Sequence, residues 1–362
     1  MDFGLSEDQV LLEQMIRGFL ADTVPIERVR ELRDESCPND RGIWQALAEL
    51  GATGVLVSED AGGSALSLLD ASLISQSLGH AVTPTAFLSS AVIAPLMLAA
   101  IESPKTEAWL RDIAAGELVM GVALMELFSI REGAGIRLEG NALHGKAMMA
   151  LDACGADRIL VAINRDKLAV VDRNAKGLQV DRLVTTDQTR CTAELVFSGV
   201  EAEAIFENAG SAIERGLDAG RIALAADILG ACESMIEQSV RYAGQRKQFD
   251  RLIGSFQAVK HMCAEMIAEL EPARSLLWYA AHSFDAFPEE TPLLASHALA
   301  HLSEIGREIA SVSTQVHGGI GWTDEQNLHF WFKRIGVARH LLGGPEFLRE
   351  RAAGLQAFDV AS

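Results

Sequence analysis

The feature that most narrows the fold is a hydrophobic period that changes twice along the chain. Behind Ser6 and Gln9, which have the form of a capping box, Val10, Leu11, Met15, Ile16, Phe19 and Leu20 recur at helical spacing. Trp44, Leu47 and Leu50 mark a shorter amphipathic piece that stops at Gly51, and LVSEDAGG follows with a turn at Gly62-Gly63. Further helical patterns cover about 66–78, 84–101 and 106–115. From Leu118 the period shortens: LVMGVALME, ALHGKAMM, RILVAI, KLAVVD, GLQV and AELVFSGV are apolar, β-branched runs, and Glu139-Gly140-Asn141-Ala142 has the form of a tight hairpin turn.

After Glu203 the helical period returns. Ile222 to Val240, Val259 to Leu277 and Leu294 to Val316 each carry one wide apolar stripe, and a fourth pattern starts at Leu328, enough to close an antiparallel bundle. The expected class is α+β: an all-helical unit over 1–117, an antiparallel β domain over 118–203 and a four-helix bundle over 204–362.

Composition limits what such a protein can bind. The net charge is -19, which excludes a nucleic-acid surface as the main function. Cys37, Cys154, Cys191, Cys232 and Cys263 form no CxxC pair and have no His at metal spacing, so no metal is expected and the thiols read as small buried side chains of a reduced protein. MDFGLSEDQ lacks the features of a signal peptide, and the richest apolar window, Phe87 to Ile101, is too short for a membrane span and contains Ser89, Ser90 and Pro95. A cytoplasmic location and a buried helix are the expectations.

Against that acidic background, Arg241 to Gln257, RYAGQRKQFDRLIGSFQ, gathers Arg241, Arg246, Lys247 and Arg251. A local cationic cluster of this size suits a small polyanion such as a diphosphate or a nucleotide cofactor. Taken alone, the residues also allow Arg246 and Lys247 to complement a helix C-terminus, worth about 0.3 to 1 kcal/mol. Gly318-Gly319 can likewise be only a helix stop.

The order α, β, α bundle, together with QRKQFDRLIGSFQ and Gln315-Val316-His317-Gly318-Gly319-Ile320-Gly321-Trp322-Thr323, resembles the acyl-CoA dehydrogenase family of flavoproteins. LVSEDAGG is similar to that family's N-terminal VPEEYGG-type turn. The resemblance implies FAD, an acyl-CoA substrate and an electron acceptor such as an electron-transfer flavoprotein. It also implies that the two C-terminal motifs reach across a dimer interface to the ADP half of a neighbour's FAD. On that basis Arg246 would neutralise the pyrophosphate, Gln248 and Phe249 would line the adenosine side, and Phe256 and Gln257 would close it. Gln315, Gly318 and Gly319 would let backbone approach the cofactor, while His317 and Trp322 read as structural.

The chain departs from the family where chemistry would occur. The base removing a proton alpha to the thioester is a glutamate of a YEGT-like turn, or in a minority the residue before the arginine opening the long helix. Here Leu341-Leu342-Gly343-Gly344-Pro345-Glu346 places Gly343 at the first position, and Gly220 precedes Arg221 at the second. Glu346 and Glu126 are the nearest substitutes. The LTEP-like and WITN-like flavin contacts read Leu124-Met125-Glu126-Leu127 and Met149-Ala150-Leu151-Asp152, and the following loop is shortened to FSIREGAG. The expectation is a non-catalytic subunit, in a dimer or an α2β2 tetramer with a second family member, completing that partner's FAD site. The alternatives are a self-sufficient homomeric flavoenzyme using Glu346 and a cofactor-free structural or regulatory subunit.

Overall fold

The computed structural model describes residues 4–35, 39–128 and 133–358. Cys37 and residues 129–132 of the shortened loop lie outside the described residues. The N-terminal helices are α1 (Glu7–Thr23), α2 (Ile26–Arg33), α3 (Arg41–Glu49), α4 (Leu68–His80), α5 (Ala94–Ala99) and α6 (Pro104–Ala114), with a π-helical segment, Phe87–Ile93, leading into α5. The capping box is present: Gln9 N donates to Ser6 Oγ at 3.2 Å and Ser6 N to Gln9 Oε1 at 3.0 Å. Phe87–Ile93 is buried throughout, as expected of the apolar window. Helix α2, IERVRELR, was not anticipated; it is short and highly charged, with only Val29 and Leu32 buried.

The middle unit is an eight-stranded sheet in the order β6-β7-β3-β1-β4-β5-β8, with β2 on β3. Its strands are β1 (Met120–Ala123), β2 (Gly135–Glu139), β3 (Ala142–Leu151), β4 (Arg158–Asn164), β5 (Lys167–Asp172), β6 (Leu178–Arg182), β7 (Thr192–Glu201) and β8 (Ala204–Phe206). The expected hairpin is there, with Glu139 opposite Ala142 and Gly140 at φ +64°. One pairing corrects the antiparallel reading: β1 and β4 run parallel, Met120 beside Arg158, because the β2–β3 hairpin intervenes and returns the chain for a second pass in the same direction.

The C-terminal unit is built on α7 (Gly210–Ala243), which packs against α4 on one side and α8 (Gln257–Ala286) and α9 (Thr291–His317) on the other. Between α7 and α8 the chain forms a two-stranded ribbon, β9 (Lys247–Gln248) and β10 (Arg251–Leu252). The expected fourth helix is two, α10 (His329–Ala338) and α11 (Gly344–Leu355). Leu342, Gly343 and Gly344 have φ of +55°, +123° and +73°, which no right-handed helix can continue through.

A buried charge cluster joins the three units. Asp227 of α7 bonds Arg190 Nη2 at 2.6 Å and Arg334 Nη2 of α10 at 2.6 Å, and Arg334 also donates to Thr83 O and Thr189 Oγ1. Burial raises the Asp227 pKa, but the two guanidiniums outweigh it and leave the carboxyl below its ordinary range. Cys191 and Cys232 are buried, and Cys154 and Cys263 half-buried. Among the described residues no helix is long and apolar enough to cross a membrane, and no group of His, Cys, Asp and Glu could hold a metal ion.

Candidate functional site

The cationic stretch starts in the last turn of α7 with Arg241 and leaves the helix after Ala243. Helix α7 ends at Ala243; Arg246 N donates to Tyr242 O at 2.9 Å, and Ile253 N donates back to Arg246 O at 2.8 Å. Arg246 therefore lies just past the helix end with its N–H on a last-turn carbonyl, a position that also allows the macrodipole contribution. On the ribbon, Gln248 faces Arg251 and Lys247 faces Leu252. The two turn residues, Phe249 and Asp250, have φ of +52° and +60°, the conformation of a type I′ turn that normally selects Asn-Gly. A phenylalanine pays about 1 kcal/mol or more to sit there. The residue is 86% exposed.

The ribbon's polar and aromatic groups face outward. The Arg251 guanidinium stands 3.9 Å from the Phe256 ring centroid, and Phe249 meets Phe256 edge-on at 6.2 Å. Gln257 opens α8, with Nε2 3.3 Å from His261 Nε2. Arg246, Lys247 and Gln248 are exposed, and among the described residues neither Arg246 nor Lys247 has a carboxylate partner.

The second motif lies beside the first. The Tyr242 and His317 rings stack at 4.7 Å and 25°. His317 Nδ1 is 2.8 Å from Ser313 O, which makes Nδ1 the protonated nitrogen, and burial pushes the ring's pKa below the ordinary histidine value. Gly318 then ends α9 at φ +67°, ψ -148°. A Cβ built on Gly318 or Gly319 meets nothing within 4 Å, so the backbone there is open to an approaching ligand. Gln315 is exposed on the same turn. A diphosphate and its nucleoside fit this donor set: an unpaired guanidinium, an aromatic pair, and bare backbone at two glycines.

The two positions where a base would sit also converge, on a different part of the chain. A Cβ on Gly220 would come within 2.8 Å of Ile93 Cδ1 and 3.1 Å of Leu342 Cδ1. A Cβ on Gly343 would come within 2.6 Å of Phe347 Cδ1. Around them, buried Arg221 donates to Leu342 O at 3.1 Å and to Asp218 Oδ1 at 2.7 Å. Phe128 lies 5.4 Å under the Arg221 guanidinium and packs edge-on against Phe347 at 5.4 Å. The described groups next to both glycines are alkyl and aromatic. About one turn further along α7, the cavity left beside Ala223, Leu224 and Leu88 is about 10 Å³, roughly one water.

The substitute carboxylates are placed otherwise. Glu346 is exposed in the first turn of α11. Glu126 Oε1 accepts the Met148 N–H at 2.9 Å and so serves the sheet. Met149 sits at a register shift between β3 and β7 with φ +53°. Asp152 is buried, accepting from Asn39 Nδ2 at 2.8 Å and Ser89 Oγ at 2.6 Å, and burial pushes its pKa up. Phe128 and Phe347 pack against each other beside Gly343. The packing residues Ile93, Phe128 and Phe347 carry no local signature, and neither they nor the Tyr242–His317 stack were singled out from the sequence.

Comparison with known proteins gives the same family at both ends of the chain. Residues 6–117 match the acyl-CoA dehydrogenase N-terminal domain, and residues 208–354 match the acyl-CoA dehydrogenase C-terminal domain. Acyl-CoA dehydrogenase IpdE2 of Mycobacterium tuberculosis is 30% identical over 345 residues, covering 95% of this chain and 96% of the relative. Among solved structures, the ChsE4-ChsE5 complex from Mycobacterium tuberculosis superposes with a TM-score of 0.90 at 25% identity, covering 99% of both chains. The Tcur3481-Tcur3483 steroid ACAD gives 0.88 at 28% identity, covering 98% of this chain and 99% of that one. With the expected order of units, the ribbon and the glycine turn all in place, this chain belongs to the acyl-CoA dehydrogenase family.

Proposed function

We propose that this chain is the non-catalytic subunit of a heteromeric acyl-CoA dehydrogenase, completing the FAD site of a partner subunit. The observation that carries the reading is a contrast within one chain. Where a base and flavin ring would sit, Gly220 and Gly343 are glycines packed against Ile93, Leu342 and Phe347. Where a neighbour's cofactor would be held, Arg246, Phe249, Gln315 and Gly318 stand open. When bound, the flavin of the partner accepts the hydride leaving the acyl-CoA. This chain's part is to neutralise the diphosphate with Arg246, flank the adenosine with Gln248, Phe249, Phe256 and Gln257, and admit the cofactor against Gly318 and Gly319.

Two similar structures, the ChsE4-ChsE5 complex and the Tcur3481-Tcur3483 steroid ACAD, pair differently named chains, which supports a heteromeric assembly and favours a bulky acyl-CoA such as a steroid side-chain thioester. An electron-transfer flavoprotein is the fitting acceptor. The test is flavin stoichiometry in the complex co-expressed with a second family member. About one FAD per two chains is expected, with this chain alone lacking the flavin absorption band. One FAD per chain and acyl-CoA oxidation by this chain alone would overturn the reading. Glu346→Gln separates it from the homomeric alternative: the complex keeps its rate here, and loses it if Glu346 is the base.

A further inference from the structure

Arg241 opens the cationic stretch but takes no part in the ribbon. It sits in the last turn of α7 and lines a cleft of about 450 Å³ enclosed by α1, the end of α4, the second half of α7 and the approach to α10. Buried Leu20, Val24 and Trp331 and half-buried Ile26 give this cleft an apolar lining. Trp331 Nε1 donates to His80 O at 2.9 Å, which fixes the indole.

Most polar groups of the cleft already have partners, and the exceptions are donors. Arg17 Nη2 is held by Glu13 at 2.8 Å and by Glu233 at 2.7 Å. Glu237 lies 3.1 Å from His80 Nε2, and that contact, followed by the charges of Arg17 and Arg241, holds its carboxyl below the ordinary range against the effect of burial. Arg30 Nε and Nη2 donate to Asn327 Oδ1 at 3.0 and 2.7 Å, which leaves Nδ2 as the unengaged edge of that amide. Among the described residues Arg241 makes no salt bridge and no side-chain hydrogen bond; Glu237, one turn back, acts on it only through space.

We infer that this cleft binds a small organic monocarboxylate, with its carboxylate on Arg241 and Asn327 Nδ2 and its apolar body against Leu20, Val24, Ile26 and Trp331. The volume falls within the range of about 300 to 1,000 Å³ usual for small-molecule sites. Donors without acceptors call for an anion, and the apolar lining calls for a hydrophobic body rather than a hydrated ion. Charge sets the valence. The two arginines of the lining repel an amine, while the Glu237 carboxylate beside them repels a second negative charge such as that of a phosphate dianion. Arg246 is not part of this lining, so the inference does not depend on the cofactor role of the ribbon.

The test needs only the purified chain and four probes of one shape: phenylbutyrate, phenylbutyramide, phenylbutylamine and phenylbutyl phosphate. Calorimetric titration is expected to show saturable binding of phenylbutyrate and a loss of about tenfold or more for each of the other three. Arg241→Ala should weaken phenylbutyrate by a similar factor. Ala21 is exposed on α1 and lines the cleft, so Ala21→Trp fills it without touching the core and should abolish binding. Arg246→Ala should bind the probe like wild type. The inference is overturned by no saturable binding at millimolar phenylbutyrate, by a phosphate, amine or amide that binds as tightly, or by wild-type affinity in both Arg241→Ala and Ala21→Trp. A loss confined to Arg246→Ala also overturns it, since the probe then sits on the ribbon.

Discussion

Tyr242 and His317 stack with ring centroids 4.7 Å apart, and this pair ties the end of α7 to the end of α9. Tyr242 O accepts the Arg246 N–H, and Gly318 follows His317 directly, so the ribbon and the glycine turn are registered through two rings. Removing either ring is expected to cut flavin retention by the assembled complex severalfold. His317→Phe keeps the stack and should restore most of it, measured as flavin per complex after gel filtration. Equal retention by Tyr242→Ala and wild type would show that the stack positions nothing.

Arg246 is exposed and has no carboxylate partner among the described residues, so its removal strands no other charge. Charge-assisted hydrogen bonds to phosphate contribute about 1.5 to 3 kcal/mol, and Arg246→Ala should weaken FAD binding in the complex by about ten- to a hundredfold. Arg246→Lys keeps the charge and loses the planar fork, so it should fall between the two. Titration of the deflavinated complex with FAD measures both.

Placing a glutamate at Gly343 is not expected to create chemistry in this chain. Gly343 has φ +123°, a region closed to side chains, and a Cβ would press to 2.6 Å from Phe347 Cδ1. Gly343→Glu is expected to destabilise by about 2 to 4 kcal/mol and yield no dehydrogenation in this chain alone. Thermal melting and an acyl-CoA-dependent dye assay report the two effects.

His329 gives the fold an acid-sensitive point. Its side chain is 4% exposed, 2.8 Å from Asp324 Oδ1. Burial first, then Lys333, Arg30 and Arg33, hold its pKa down to about 4 against the pull of Asp324. The unfolded chain takes up this proton near pH 6.5 and the folded chain does not, so stability is full above 6.5 and falls as pH drops toward 4. The loss is about 2 to 3 kcal/mol. His329→Gln should flatten that part of the melting profile relative to wild type.

Much of this was readable from residues that act locally. Ser6 with Gln9 and Gly140-Asn141 are signals within one turn of chain, and the change of period at Leu118 needs no tertiary contact to be seen. The two C-terminal motifs were readable because each is contiguous. What surrounds Gly220 and Gly343 was not, because Ile93, Phe128 and Phe347 come from three distant segments and meet only in the fold. The break of the last helix was hidden for another reason. Leu341 and Leu342 continue the apolar stripe, so the pattern runs on through the point where the backbone turns left-handed at Leu342. The parallel placement of β1 beside β4 is likewise a matter of topology, which alternation along a strand does not encode.

The Arg190–Asp227–Arg334 joint has a mechanical side. Removing one partner of a buried, doubly paired carboxylate costs about 3 to 5 kcal/mol, so the helical base, the sheet and the bundle cannot hinge apart at that junction without breaking it. Clefts that admit and release a substrate depend on such hinging. The three units therefore move as one body at that junction, and any breathing of this chain has to come from elements that the joint does not pin.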